Sequence, residues 1–318
     1  HTNPVDSQII RHNSDFCMLQ GKYEFPDHSI EEVYCAIRRR QKKQFKHNKK
    51  EYERLSDHIG FIPLVMISPA DNELIIGGSD ERRRFMDMVI SQFDKNYMRS
   101  LIRYNRALQQ RNIILKNEED NIDLNLLEIW EEQITDEGTL IFEKRKSFID
   151  RFIPIFNRFY NLISRSNETV SLNYISQLKE NDLHLLLKRN RKKDMMLGFT
   201  TVGIHKDDLE MLLNDFPIKK TGSQGQNKTF FVSMKLAQFH FLLETTKTKP
   251  LLLLDDIFDR LDSSRVEEII KLVLENEFGQ IFISDTNRKS LDKMLEKTAH
   301  TDYHLYSVKN GCINQITD

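Results

Sequence analysis

Two adjacent carboxylates follow the densest apolar run in the chain. Residues 251–254 are four consecutive leucines, and Asp255 and Asp256 come directly after them. Such a run is typical of a strand buried on both faces, and ligands of open α/β sheets bind where these strands end. Because successive strand residues face opposite ways, Asp255 could hold Mg²⁺ while Asp256 orients an attacking water. The pattern is typical of a Walker B strand, and acidic residues that merely end a strand are the alternative.

A glycine-containing segment lies upstream of the leucines and precedes a predicted helix. It comprises Ser223, Gln224, Gly225 and Gln226, with Ser223 at the predicted helix N-terminus. Glycine allows close backbone approach, and a helix N-terminus attracts a phosphate through its free N–H groups and its dipole. The segment therefore predicts a contact to a nucleotide phosphate. An ordinary glycine loop capped by serine is the alternative.

Two more acidic positions complete an ordered set. Asp262 ends the segment Asp-Arg-Leu-Asp that follows the paired carboxylates, and Asp285 lies in the segment Phe-Ile-Ser-Asp-Thr further on. The order of all these segments resembles the signature, Walker B, D-loop and switch of ABC-type ATPases. The Ser-Gln-Gly-Gln signature and the double aspartate are similar to those of the RecF family. The resemblance implies that Asp262 and Asp285 also contact the nucleotide.

The resemblance extends over nearly the whole chain. Residues 203–209 (Gly-Ile-His-Lys-Asp-Asp-Leu) look like the family's Gly-Pro-His-Arg-Asp-Asp-Leu box, with isoleucine and lysine as departures. Residues 68–71 and 81–87 are similar to the family's segment between the Q-loop region and the helical arm. No loop of the form G-x-x-x-x-G-K-[ST] occurs, and the chain opens with His1 instead of methionine. We therefore expect a truncated chain whose phosphate-binding loop precedes His1, and a degenerate enzyme is the alternative.

The resemblance implies an ATP-dependent, DNA-binding, cytoplasmic protein of recombinational repair and replication restart. ATP and Mg²⁺ are the implied ligands, with Asp255 at the metal and Asp256 as the catalytic residue for slow hydrolysis. Two heads would dimerise around two ATP molecules, so that Ser223 of one subunit faces the γ-phosphate held by the other. The implied partners are duplex DNA next to single-stranded gaps and mediators of the RecO and RecR type. A nucleotide-dead binding module and the nucleotide-binding domain of an ABC transporter remain as alternatives. The helical insertion and the double aspartate disfavour the transporter.

Basic residues predict a contact to a polyanion. Residues 38–50 hold eight Lys or Arg, and their spacing places them on a protruding hairpin. Phosphate contacts by such residues are independent of sequence and sensitive to salt. A solvated charge run is the alternative. A predicted basic turn at 188–193 is a second candidate. The proposed DNA-contacting residues are Arg38, Arg39, Arg40, Lys42, Lys43 and Lys46.

Composition limits the class of protein without deciding it. The 318 residues carry 47 basic and 48 acidic side chains, so an affinity for DNA must come from local clustering. Cys17, Cys35 and Cys312 lie far apart, which predicts a reduced protein without structural zinc. The leucine run is too short to cross a bilayer, and no signal peptide is present, so we expect no membrane contact.

The elements that position these residues predict an α/β fold. Strands are expected near 16–25, 32–40, 44–47 and 61–67, and again at 170–174, 183–187, 197–202, 211–213, 217–219, 250–254 and 280–284. One long helix is expected over 79–108, a second from 124 that kinks or ends at Pro154, and two more over 224–244 and 265–276. The resemblance assigns them to an ABC-type head with a β lobe (1–78), an inserted antiparallel helical arm (79–165) and the remainder of the head (166–318).

Overall fold

The computed structural model describes residues 6–116, 123–164, 168–256, 263–274, 278–286 and 303–316. The strands are β1 (Phe16–Glu24), β2 (Ile30–Arg38), β3 (Gln44–His47), β4 (Lys50–Glu51), β5 (Leu64–Ile67), β6 (Val170–Ile175), β7 (Asp208–Leu213), β8 (Phe216–Pro217), β9 (Leu251–Asp255), β10 (Ile281–Ser284), β11 (Leu305–Lys309) and β12 (Cys312–Ile316). The helices are α1 (Glu73–Ile76), α2 (Ser79–Ser91), α3 (Lys95–Leu115), α4 (Leu124–Ser164), α5 (Leu183–Leu197), α6 (Ile218–Thr221), α7 (Gln224–Thr246) and α8 (Ser263–Leu274). Helices and strands mix in the way an α/β fold requires.

The four leucines form the middle strand of a parallel sheet, as predicted. β9 pairs with β5 on one side and with β10 on the other, with Leu252 opposite Val65 and Ile281. Leu252 and Leu254 are buried, and the leucines between and before them are half-buried. One face of the strand therefore lies against the core. The expected β lobe is also confirmed, because β1, β2, β3 and β4 form one antiparallel sheet in that order.

The single helix predicted over 79–108 is wrong, because the structure has two helices there. Asp94 lies between α2 and α3 and caps α3, its side chain accepting a hydrogen bond from the Tyr97 N–H at 2.9 Å. Gln92, also in the break, accepts from the Leu64 backbone N–H at 3.1 Å. Asp94 and Gln92 therefore accept hydrogen bonds from backbone N–H groups, which stabilise the break between the two helices. The helical spacing of apolar residues continues from α2 into α3, because both helices bury a face against the same core. This spacing therefore gave no sign of the break between them.

Pro154 does not end the second predicted helix. α4 continues through it and is 41 residues long. Phe152 and Phe156, on either side of the proline, are fully buried and pack against α7 through Phe241 and Phe230. Burial of each phenylalanine is worth about 1.5–3 kcal/mol, which offsets the roughly 3 kcal/mol that a proline costs inside a helix. Tertiary packing therefore overrides the local signal.

The strands predicted at 183–187 and 197–202 are wrong, because the first is helix α5 and the second is its last residue and a loop. Asp182 caps α5 by accepting from the Leu185 N–H at 2.9 Å, and Gly198 ends it with a left-handed φ of 71°. Leucines four residues apart fit the helical period as well as the strand period. The caps at Asp182 and Gly198 favour the helix. The basic segment 188–193 is therefore helical and is not a turn.

The chain reverses at Asn214-Asp215, as predicted. Both residues have positive φ, at 48° and 66°, and the turn joins β7 to β8. The strand predicted at 217–219 is mostly wrong. β8 covers only Phe216–Pro217, and α6 begins at the next residue because Pro217 occupies its N-cap and supplies no N–H to a longer ladder.

Candidate functional site

Ser223 caps the helix that carries the glycine-containing segment. Its Oγ accepts from the Gln226 backbone N–H at 3.2 Å, and the Gln226 side-chain oxygen accepts from the Ser223 N–H at 2.8 Å. This reciprocal capping box fixes the first turn of α7. Ser223 and Gln224 are nevertheless exposed. The cap is therefore held in one conformation and accessible to a ligand or to a second molecule.

Gly225 lies where another helix approaches closely. A Cβ atom at this position would lie 2.9 Å from Nη1 of Arg265. Arg265 belongs to the first turn of α8, which follows the predicted D-loop. A larger residue at Gly225 would displace the guanidinium or the helix that carries it.

Glu168 joins this segment to the long helix α4, and the sequence reasoning missed it. Its Oε1 accepts from Gln226 Nε2 at 2.8 Å, and its Oε2 accepts from the Tyr160 hydroxyl at 2.6 Å. Tyr160 is fully buried in α4, four residues before the helix ends. No pattern could have singled out this residue, because a lone glutamate ahead of a strand carries no periodic or motif signal.

The predicted metal and catalytic carboxylates lie at the carboxyl edge of the parallel sheet. Asp255 ends β9 and accepts a hydrogen bond from the Ser284 hydroxyl of the neighbouring strand. The Asp256 N–H donates to the Ser284 carbonyl at 2.9 Å, but Asp256 has a φ of 49°. The alternation argument is therefore wrong for Asp256, because left-handed backbone and not the strand pleat sets its direction. The division of roles between the two aspartates stays a prediction.

The donor set at this edge fits a metal ion that arrives with a phosphate. Within the described residues, no three His, Cys, Asp or Glu side chains group closely enough to enclose an ion. Mg²⁺ usually takes one or two carboxylates and completes its shell with waters and substrate phosphates. Asp255, with the Ser284 hydroxyl beside it, matches that partial set.

A buried lysine marks where α7 passes the end of β5. Lys235 Nζ lies 3.7 Å from Oδ2 of Asp71, and the same oxygen accepts from the Ser68 backbone N–H at 3.1 Å. Burial lowers the pKa of Lys235, and the nearby Asp71 acts against that change. The middle of α7, and not its N-terminus, is therefore level with the carboxyl edge of the sheet.

The signature segment lies far from the carboxylates of the same chain. α7 has 23 residues and runs back to β9, which has 5. At about 1.5 Å per helical residue and 3.3 Å per strand residue, the helix is about 34 Å long and the strand about 17 Å. Ser223 therefore lies on the order of 17 Å beyond the strand end, too far to share one phosphate group with Asp255.

The two remaining predicted nucleotide contacts have different outcomes. Asp285 follows β10 directly, one residue after Ser284, and is half-buried at the same edge as Asp255. The structure therefore places Asp255, Asp256 and Asp285 at the same edge of the sheet. Asp262 lies outside the described residues.

The predicted DNA-contacting residues lie in the β lobe, at the turn between β2 and β3. Arg38, Arg39, Arg40 and Lys42 are exposed, whereas Lys43 and Lys46 are half-buried. The Arg38 guanidinium lies 5.8 Å from the centre of the Phe16 ring, and the Lys46 ammonium lies 5.6 Å from that of Tyr34. The outer four therefore offer accessible positive charge, and Lys46 also packs on the sheet.

Residues 203–209 form a buried cluster of ion pairs and hydrogen bonds with helices α2, α3 and α4. Arg145 of α4 is 1% exposed and pairs with Asp207 at 3.0 Å and with Asp87 of α2 at 2.8 Å. Burial raises the pKa of Asp207, although Arg145 acts to lower it. His205 contacts the Tyr104 hydroxyl, and burial lowers its pKa to about 4. The box therefore fixes the hairpin to the rest of the fold through neutral histidine and paired charges.

Comparison with known proteins identifies the family. The chain is 59% identical over 314 residues to the DNA replication and repair protein RecF of Bacteroides thetaiotaomicron, covering 99% of this chain and 85% of that protein. RecF of Porphyromonas gingivalis is 51% identical over 317 residues, covering 99% and 86%. The chain belongs to the RecF family. No protein-family model matches it.

Solved structures agree with this assignment. A structure of the recombination mediator protein RecF-ATP in the RecFOR pathway matches with a TM-score of 0.85 and 25% identity, covering 98% of this chain and 83% of that chain. An Smc head domain of Pyrococcus furiosus matches with a TM-score of 0.51 and 16% identity, which shows the fold alone. The fold is that of an ABC-type ATPase head. Among the described helices, none has the length and apolar content to cross a bilayer.

Proposed function

We propose that the protein is an ATP-dependent DNA-binding protein of recombinational repair, in which two copies close around ATP. The observation that carries the proposal is the separation of Ser223 from Asp255 within one chain. Two halves of a phosphate site that lie on the order of 17 Å apart can meet on one nucleotide only when a second copy supplies the missing half. The exposure of Ser223 and Gln224 supports this arrangement.

Each half of the composite site has a distinct task in the proposed reaction. The capped N-terminus of α7, with Ser223, Gln224, Gly225 and Gln226, presents backbone N–H groups and a hydroxyl to the γ-phosphate. In the other subunit, Asp255 holds the Mg²⁺ that arrives with ATP, and Asp256 orients the attacking water. Asp285, and Asp262 from the segment after β9, complete the contacts. Hydrolysis removes the γ-phosphate that joins the subunits, and the dimer opens.

DNA binding is the second part of the proposal. The exposed basic residues at the β2–β3 turn would contact phosphates of a duplex next to a single-stranded gap, without reading its sequence. Residues 1–78 and 166–318 would form the head, and residues 79–165 the helical arm. The solved RecF structure is of a recombination mediator protein of the RecFOR pathway, and this supports mediators of the RecO and RecR type as partners. A cytoplasmic location is consistent with these tasks.

The test is ATP-dependent dimerisation of a form that carries a phosphate-binding loop ahead of His1, called here the loop-bearing form. Its mass with and without ATP is measured by analytical ultracentrifugation. Ser223→Ala should weaken the dimer roughly tenfold or more, because each half-site loses a hydrogen bond to a charged phosphate. Ser176→Ala, which removes another serine cap, is the matched control.

Two outcomes would reject the proposal. If the unsubstituted loop-bearing form stays monomeric with ATP, the composite site does not exist. If it dimerises but Ser223→Ala behaves like Ser176→Ala, the signature segment does not contact the nucleotide. The first outcome would favour a nucleotide-independent binding module, and the second would require another surface to join the two copies.

A further inference from the structure

Glu168 connects the arm helix to the capped end of α7 through two hydrogen bonds. The Tyr160 hydroxyl of α4 donates to one carboxylate oxygen at 2.6 Å, and Gln226 Nε2 donates to the other at 2.8 Å. These three residues are called the Glu168 bridge below. Tyr160 is fully buried, so the α4 end of the bridge is anchored in the core. The Gln226 end lies at the surface segment that carries Ser223.

The bridge fixes which way the Gln226 amide points. Its oxygen accepts from the Ser223 backbone N–H at 2.8 Å, and its nitrogen donates to Glu168. Because a primary amide is planar, a half-turn would exchange these two atoms and set an NH₂ group against the Ser223 N–H. An ionised carboxylate only accepts, so Glu168 permits one of the two orientations. Glu168 therefore reinforces the orientation that the Ser223 N–H already favours, and its loss would weaken that preference.

Tyr160 in turn fixes the carboxylate. Burial raises the pKa of the Tyr160 hydroxyl, and Glu168 raises it further, so the hydroxyl keeps its proton and remains a donor. Both oxygens of Glu168 therefore accept a hydrogen bond, one from the Tyr160 hydroxyl and one from the Gln226 amide. A charge-assisted hydrogen bond of this kind is about twice as strong as a neutral one.

We infer that Glu168 is a positioning residue that holds the Ser223 cap in the conformation that meets a nucleotide phosphate, and that it makes this cap depend on the arm helix α4. The effect on dimer closure rests on the proposed function. The effect on the order of the first turn of α7 does not depend on that function. Gly225 and Arg265 bring α8 to the same place, so three helices meet at this end of α7.

Hydrogen exchange in the chain as it stands tests the structural part. Glu168→Gln should speed exchange of the Gln226 backbone amide, which bonds to Ser223 Oγ, by about tenfold. That factor corresponds to the difference in free energy between a charged and a neutral hydrogen bond. Tyr160→Phe, which removes one hydroxyl, should give a smaller change in the same direction. Glu210→Gln is the control, since Glu210 also accepts from a side-chain amide, that of Asn173 at 3.0 Å. An exchange rate in Glu168→Gln equal to that of Glu210→Gln overturns the inference.

Dimerisation of the loop-bearing form tests the consequence. Glu168→Gln should weaken ATP-dependent dimerisation about tenfold while ATP affinity of the monomer stays unchanged, which general unfolding would not allow. The double variant with Tyr160→Phe should be no weaker than Glu168→Gln alone, because both changes act through one carboxylate. If Ser223→Ala weakens the dimer but Glu168→Gln does not, the inference fails and the proposed function stands. If no form dimerises, the proposed function fails and hydrogen exchange alone decides the inference.

Discussion

The basic turn between β2 and β3 allows a quantitative test of DNA binding. Arg39, Arg40 and Lys42 are exposed there, and the Arg39 side chain donates from Nε to the Ser14 carbonyl at 3.3 Å. We expect their joint replacement by alanine to weaken duplex binding about equally for all sequences, because phosphate contacts carry no sequence information. Surface changes of this kind usually alter stability by less than about 0.5 kcal/mol. The fold should therefore stay intact.

The size of the effect follows from the number of contacts. If all three side chains reach a phosphate, the slope of log K against log salt should flatten by about 2.7, at roughly 0.9 for each contact. Since this electrostatic contribution vanishes near 1 M salt, the affinity should fall on the order of 500-fold at 0.1 M and about 80-fold at 0.2 M. Fewer contacts would give proportionally smaller slopes.

Fluorescence anisotropy with two labelled duplexes of unrelated sequence, titrated from low to moderate KCl, measures both quantities. A triple replacement of Lys188, Arg189 and Lys192 on the exposed face of α5 removes the same charge elsewhere and is the matched control. An unchanged slope in the β2–β3 variant would refute the reasoning and leave that turn as a solvated surface. A loss confined to the α5 variant would place the DNA there instead.

Three further predictions concern the nucleotide and the fold. Asp255→Asn in the loop-bearing form should reduce ATP binding and hydrolysis, whereas Asp256→Asn should bind ATP and accumulate as a dimer, which light scattering can distinguish. The chain as it stands should bind ATP poorly by calorimetry, and micromolar affinity would contradict this. Arg145→Met should cost about 3–5 kcal/mol in urea unfolding, because Asp207 is left buried without its partner. That cost should be larger at pH 8 than at pH 5, because Arg145 acts to lower the pKa of Asp207, which burial raises. Without Arg145 the folded-state pKa of this buried carboxyl rises further, and stability is lost as the pH rises through the higher pKa. A cost independent of pH would exclude Asp207 as its source.

The parallel strand, the helix after Ser223 and the β lobe could be predicted because each has a local signal. Four leucines before two carboxylates leave little choice but a buried strand, and the serine cap with Gln226 three residues later is a complete helix start. These signals depend on neighbours along the chain. Only the family resemblance predicted a nucleotide contact for Asp285, and the parallel pairing of β9 with β10 explains why it lies at the same edge as Asp255.

The failures concern features that depend on distant residues. Pro154 is tolerated because aromatic side chains of α7 pack against α4, and no local rule includes that packing. The strand predicted at 183–187 is wrong because the leucine spacing fits a helix as well as a strand, and the Asp182 cap favours the helix. Glu168 was missed because its partners are 8 and 58 residues away. The direction of Asp256 depends on a backbone φ that composition does not reveal.

The distribution of charge explains how a nearly neutral chain can present a locally positive surface. Two buried arginines of α3 and α4 form ion pairs inside the fold, Arg111 with Glu131 and Asp194, and Arg145 with Asp87 and Asp207. Such pairs cancel internally and add little to the outer field. The exposed turn at 38–42 has no ion pair within the part of the chain that the structure describes. Its charge therefore acts outward, and the net charge of −1 does not reveal the local positive charge that the proposed DNA contact requires.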